Sequence, residues 1–201
     1  MYKVYGMSAS GNCHKARMVL EALGLPYEWT EIDTARGQTR TPEFLAMNPN
    51  GKVPVLEIEP GVFLPESNAI ICYLAEDTPL LPRDRLERAR VLQWLFFEQY
   101  SHEPYIAVAR YLRRFHPDPA SQRALAESKI EGGNRALAVM ERRLAGEEFL
   151  AAGRYTVADI ALYGYTHVAG EGGFDLARFP AVTAWLARVE AQPRYVRMPS
   201  E

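Results

Sequence analysis

Every segment with strand character lies in the first third of the chain. Beyond Thr78-Pro79-Leu80-Leu81-Pro82 the apolar residues recur only at helical spacing. Tyr2 to Met7 reads as a strand. Asn12 to Leu23 carries Ala16, Val19, Leu20 and Leu23 at helical intervals, with Gly24 placed to end the helix. A second strand follows over Tyr27 to Ile32. Thr41-Pro42 then opens a short helix, with threonine as cap and proline in its first position. Strands at Val55–Ile58 and Val62–Leu64 flank Glu59-Pro60-Gly61, and a last helix runs from Glu66 to Ala75. After the proline-punctuated stretch come four helical segments: Arg85 to Phe115 with a bend expected at Pro104, Pro119 to Leu144, one opening at Thr156, and Pro180 to Gln192.

The order βαβ then αββα is that of a thioredoxin-like domain, whose parallel βαβ half crosses over right-handed. The expected class is therefore α+β: a thioredoxin-like domain over 1–77, a linker over 78–84, and an all-helical bundle over 85–201. Gly132-Gly133 is expected to be a weak point of the second long helix. A net charge of −2 gives no case for nucleic acid or anionic lipid. No apolar run approaches the roughly 18 residues that span a bilayer, and Met1-Tyr2-Lys3-Val4-Tyr5 enters a strand without a leader pattern. Cys13 and Cys72 make neither a disulfide framework nor a metal site. A soluble, cytoplasmic protein without metal is expected.

The most specific pattern lies between residues 48 and 71. Asn48-Pro-Asn-Gly-Lys-Val-Pro-Val-Leu56 is followed by Pro65-Glu-Ser-Asn-Ala-Ile-Ile71. Proline entering a strand donates nothing to the ladder, and an X-Pro bond alone is cheaply cis. A cis Val53–Pro54 bond would leave the Val53 N–H and C=O facing outward, free to pair with an extended ligand. Glu66-Ser67 precedes an apolar helical run, where unpaired N–H groups favour a carboxylate and the Glu66 side chain can meet an ammonium. A strand-edge clamp beside a site for both amine and carboxylate suits a γ-glutamyl tripeptide.

These residues resemble the glutathione S-transferase family, and Thr156-Val-Ala-Asp159 extends the resemblance downstream. The resemblance implies that Val53, beside Pro54, presents its backbone to the cysteinyl unit of glutathione, that Glu66 and Ser67 hold the γ-glutamyl end, and that Lys52 neutralises the glycyl carboxylate. Gln38, Thr39 and Arg40 lie on a loop that flanks the same carboxylate. Glutathione is then a co-substrate, and a homodimer is expected.

Sulfur chemistry is expected where the first strand meets the first helix, the redox position of thioredoxin-like domains. The tetrad here is Ser10-Gly11-Asn12-Cys13, a hydroxyl in place of the first thiol, which resembles the serine/threonine–asparagine pattern of bacterial nu-like enzymes. Serine without a base is a poor nucleophile but donates well to another molecule's thiolate. Ser10 is therefore assigned to the glutathione sulfur, with Asn12 assisting. Ser8 and Tyr5 are rivals, and Cys13 is expected to be a packed small side chain. His14-Lys15 reads as a solvated helix turn, the charged run Arg83–Arg90 as a solvated face, and Thr156-x-x-Asp159 as a capping box.

By the same resemblance the helical domain walls an apolar second-substrate pocket, with Tyr105, Tyr111 and Tyr163 as candidates among its aromatics. Three functions compete: transfer of glutathione to a hydrophobic electrophile, glutathione-dependent disulfide reduction, and a non-enzymatic interaction role on a transferase scaffold.

Overall fold

A computed structural model describes residues 1–199; Ser200 and Glu201, the end of the expected helical domain, lie outside the described residues. The described chain divides into two compact units, residues 1–76 with 193–199, and residues 77–192.

The first unit is built on a four-stranded sheet of order β2-β1-β3-β4. β1 (Tyr2–Gly6) pairs parallel with β2 (Tyr27–Glu31) and antiparallel with β3 (Val55–Glu59), which pairs antiparallel with β4 (Val62–Pro65). The β1–β2 crossover carries α1 (Gly11–Leu23), capped by Ser10 and stopped by Gly24, whose φ of 65° is the left-handed conformation that glycine adopts freely. α2 (Pro42–Met47) starts as its sequence implies: Thr41 Oγ1 accepts from the Phe44 N–H at 3.3 Å, and Pro42 takes the first turn. α3 (Ser67–Ala75) packs on α1. Ile32, Phe44 and Val55 form a buried cluster on which Tyr5, Met47, Val53 and Phe63 lean. The described end of the chain, residues 193–199, belongs with this unit rather than with the helices before it, and the Arg194 guanidinium lies over Gly24.

The second unit is helical. α4 (Arg85–Phe97) is capped by Asp84, which accepts from the Leu86 and Glu87 N–H groups at 3.0 and 2.9 Å. The single long helix expected over Arg85–Phe115 is instead broken twice by π-helical turns, Glu98–His102 and Tyr111–Phe115, on either side of α5 (Glu103–Arg110). Pro104 explains the first: it has no N–H, and its ring would strike the carbonyl one turn back, so the turn before it widens. α6 (Arg123–Leu144) begins four residues later than expected, after a pair of tight turns over Pro119–Arg123. Gly132 and Gly133 are a packing seam, not a weak point. A Cβ on either would strike an aromatic ring, Tyr105 over Gly132 and Phe174 over Gly133, so α5 approaches α6 closely because both lack one. α7 (Val157–Thr166) and α8 (Pro180–Glu190) complete the unit. Leu80 and Leu81 of the expected linker are buried, and the Leu80 carbonyl accepts from the Val157 N–H at 2.9 Å. Among the described residues no helix is long and apolar enough to cross a membrane.

Candidate functional site

Ser10 occupies the junction of β1 and α1. Its backbone is extended, and its Oγ accepts from the Cys13 N–H at 3.4 Å, the N-cap bond that starts the helix. That bond uses a lone pair, and the hydroxyl hydrogen has the Cys13 sulfur, not a carboxylate, as its acceptor within the protein. The two rival hydroxyls are committed to carboxylates. Ser8 Oγ donates to Glu31 Oε2 at 2.6 Å while its N–H donates to Oε1 at 2.7 Å. Tyr5 Oη donates to Glu57 Oε2 at 2.8 Å. Burial pulls the Glu31 carboxyl upward, but hydrogen bonds from Ser8 and the Trp29 indole outweigh it and hold the group below the ordinary carboxylate range. Burial and then Glu57 push the Tyr5 phenol up.

Cys13 is fully buried, and burial pushes its thiol up to about 12 despite hydrogen bonds from Ser10 and the Met7 N–H. A thiol so held is protonated at neutral pH and inert as a nucleophile. Burial of His14 and Lys15 corrects their reading as a solvated turn: their exposures are 1% and 0%. Lys15 lies one turn before Val19, on the same stripe as Ala16, and that spacing is the sequence signal for its burial. Its Nζ lies 3.5 Å from Ser67 Oγ and 3.4 Å from Asn68 Oδ1, and Ser67 Oγ donates to Asn12 Oδ1 at 3.2 Å. The structure thus joins two groups read separately from sequence, the Ser10 tetrad and the Glu66-Ser67 helix start.

Glu66 precedes α3 with φ 71° and ψ 110°, a conformation that non-glycine residues rarely adopt. Its side chain is exposed. The first intrahelical bond runs from the Ile70 N–H to the Glu66 carbonyl, so the Ser67 N–H lies outside the helical ladder at the positive end of the dipole. The Val53–Pro54 bond is cis. Pairing of β1 with β3 begins at Val55, which leaves Val53 beyond the ladder. Lys52 is exposed on a turn that Asn48 organises: Asn48 Nδ2 donates to the Lys52 carbonyl at 2.7 Å, and its Oδ1 accepts from the Asn50 N–H at 3.0 Å. Arg40 reaches the same turn, donating to the Asn50 carbonyl at 3.4 Å, whereas Thr39 is buried and Gln38 accepts from the Asp33 N–H.

The three tyrosines of the helical unit are not brought together. Tyr105 is half-buried over Gly132, on a groove of about 240 Å³ also lined by Phe97, Tyr100, Arg135 and Val139. Tyr111 is half exposed, edge-on to His116. Tyr163 is fully buried, stacked on His167 at 4.5 Å and donating to Glu190 at 3.1 Å.

Known proteins share this sequence pattern and this fold. Residues 9–77 match the family model for the glutathione S-transferase N-terminal domain, and residues 94–193 that for the C-terminal domain. A crystal structure of a glutathione S-transferase from Pseudomonas fluorescens Pf-5 superposes with a TM-score of 0.96 at 52% identity, over 99% of both chains. The disulfide-bond oxidoreductase YfcG of Escherichia coli K12 is 32% identical over 90% of this chain and 87% of its own. The glutathione transferase URE2P6 of Phanerochaete chrysosporium, solved with oxidised glutathione, is 30% identical with a TM-score of 0.85, over 96% of this chain and 92% of its own. The chain belongs to the glutathione S-transferase family.

Proposed function

We propose that the protein is a glutathione transferase in which Ser10 and Asn12 hold glutathione as a thiolate for attack on a hydrophobic electrophile. One observation carries the assignment: of the three candidate hydroxyls, Ser8 and Tyr5 donate to carboxylates, while Ser10 sits at the start of α1 with its hydrogen directed at no carboxylate among the described residues. A thiol of pKa ~8.5 is only a few per cent ionised at neutral pH, and lowering it by about two units needs roughly 2.7 kcal/mol. One charge-assisted hydrogen bond of about 1.5–3 kcal/mol and a helix N-terminus contributing up to ~1 kcal/mol supply that. The γ-glutamyl end is held by Glu66 and the start of α3, the cysteinyl backbone by Val53 beside Pro54, and the glycyl carboxylate by Lys52. The thiolate then forms the C–S bond as the electrophile's leaving group departs. Tyr105 and Tyr111 are the candidate tyrosines with surface to offer such a compound; Tyr163 has none. A cytoplasmic homodimer completes the reading, supported by the family.

Similarity to YfcG, named as a disulfide-bond oxidoreductase, favours glutathione-dependent disulfide reduction as a second reading. Cys13 is too buried and too weakly acidic to take part. Bound glutathione would itself attack the disulfide, releasing one thiolate, and a second glutathione would resolve the mixed disulfide to oxidised glutathione.

The test is the thiolate absorbance of glutathione bound to the protein, titrated with pH against an S-methylglutathione blank. A bound-thiol pKa well below that of free glutathione is expected; absent binding or an unshifted thiol would overturn the proposal. Relative turnover on an aromatic halide and a small disulfide then separates the two chemistries.

A further inference from the structure

Glu31 ends β2 with its side chain exposed, yet the carboxylate takes three short hydrogen bonds. Oε1 accepts from the Ser8 N–H at 2.7 Å, and Oε2 accepts from the Ser8 hydroxyl at 2.6 Å and the Trp29 indole at 2.7 Å. Ionised at neutral pH, the carboxylate can only accept, and a backbone or indole N–H can only donate, so the direction of those bonds is fixed. The indole is itself held in place. A Cβ on Gly6 would lie 2.9 Å from the Trp29 ring, so the ring rests against the backbone of β1, and the Arg17 guanidinium of α1 covers it at 5.7 Å. Glu31 is thereby anchored on one side and grips Ser8 on the other.

Ser8 belongs to the turn that carries Ser10. Within that turn the Ser10 N–H donates to the Met7 carbonyl at 2.9 Å, an ordinary backbone bond. Its ties to α1 and to the chain after β2 run through sulfur: the Met7 N–H lies 3.4 Å from Cys13 Sγ, and Thr34 Oγ1 lies 3.3 Å from Met7 Sδ. The cap bond of Ser10 is long, at 3.4 Å. Against these weak ties, Glu31 offers two charge-assisted bonds. We propose that Glu31 is a positioning residue: by holding the Ser8 N–H it fixes the Met7–Ser10 turn so that the Ser10 hydroxyl is presented to the glutathione sulfur. The proposal rests on the glutathione reading above and deepens it. Without an acceptor on residue 31 the Ser8 N–H turns to water, the turn loosens, and the Ser10 hydroxyl spends time directed away from the sulfur. Ser8→Ala keeps the backbone bond, so the glutamate and not the serine hydroxyl carries the effect.

The experiment compares the bound-thiol pKa in Glu31→Met and Glu31→Gln, alongside the affinity for S-methylglutathione, which has no thiol to ionise. Both substitutions match glutamate in length, and both remove the same negative charge, a change that favours the thiolate equally in the two. Gln keeps an oxygen for the Ser8 N–H, and its NH₂ can donate to the Ser8 oxygen; Met offers only a weak thioether acceptor. The expected result is a bound-thiol pKa in Glu31→Met at least half a unit above that in Glu31→Gln, about a threefold loss of thiolate, with S-methylglutathione affinities equal within about twofold. Glu31→Ala is the second acceptor-free variant should Glu31→Met fail to fold, and the same rise over Glu31→Gln is expected of it. A smaller difference, or one of opposite sign, would overturn the proposal. So would a parallel loss of S-methylglutathione affinity, which would place the effect on peptide binding and not on the sulfur. An unshifted thiol in the unsubstituted protein would remove the glutathione reading itself, so the two failures are distinguishable.

Discussion

Ser8 and Ser10 stand two residues apart, and what each hydroxyl already holds separates them. Ser8 is locked to Glu31 by two short bonds, whereas Ser10 uses its oxygen for a long N-cap contact with the Cys13 N–H and has only the protonated Cys13 sulfur, a weak acceptor, for its hydrogen. Ser10→Ala should raise the bound-thiol pKa by about one to two units, the equivalent of one charge-assisted hydrogen bond. S-methylglutathione should still bind. Ser8→Ala should leave the thiol pKa unchanged, and the reverse pattern in the same titration would transfer the role to Ser8. The choice was not legible in the sequence, because Glu31 lies 23 residues from Ser8 and reaches it only through the parallel pairing of β1 with β2. Burial of Lys15 was legible, since it falls on the stripe of Ala16 and Val19, but its charge pointed the other way.

At the scale of elements, the start of α3 in the first unit and the seam of the second behave differently under substitution. Glu66 holds φ 71° at the head of α3, where a side chain costs of order 1–3 kcal/mol that glycine does not incur. Against this, glycine adds roughly 0.5–1 kcal/mol of unfolded-state entropy. Glu66→Gly should therefore leave stability unchanged or raise it by up to about 2.5 kcal/mol in urea unfolding, while weakening glutathione binding at least tenfold. A clear loss of stability would mean the conformation is not strained. At the α5–α6 seam the balance reverses. Alanine at Gly132 gains about 1 kcal/mol of helix propensity but drives a methyl into the Tyr105 ring, and overpacking costs about 1–3 kcal/mol. Gly132→Ala should thus lower the unfolding midpoint, and a raised midpoint would show that α5 yields. Sequence periodicity located both helices yet read the glycine pair as weakness, because a period records which face is apolar and not how near the neighbouring helix comes. The same blindness merged α4 and α5 into one helix, although Pro104 marked the place where the ladder had to open.

Across the whole molecule, charge is mostly at the surface, and the acid response of stability should be concentrated in a few interior groups. Asp159 is the clearest. The capping box expected at Thr156-x-x-Asp159 is present, but the carboxylate does more than cap: besides the Thr156 N–H at 3.0 Å it accepts from the Thr156 hydroxyl at 3.3 Å, the Leu150 N–H at 3.0 Å and the Trp185 indole at 2.9 Å, joining α7 to α8 and to the loop before it. Burial pushes this carboxyl from 3.8 to about 6, against the pull of those donors. The folded state therefore holds the proton more tightly than the unfolded state. Between pH 4 and 6 folded molecules bind more protons than unfolded ones, so this group's contribution is full below about pH 4 and is lost as pH rises through 6. The shift corresponds to about 3 kcal/mol. Asp159→Asn lacks the titration and will be less stable at every pH, since its NH₂ must face one of the four donors. Subtracting its unfolding free energy from that of the unsubstituted protein cancels the other titrating groups. That difference should shrink by about 2 kcal/mol from pH 4 to pH 6.5, followed by tryptophan fluorescence in urea. A difference that stays flat or grows with pH would mean that the four donors, and not burial, govern the carboxyl, and that Asp159 is ionised in the folded chain well below pH 6.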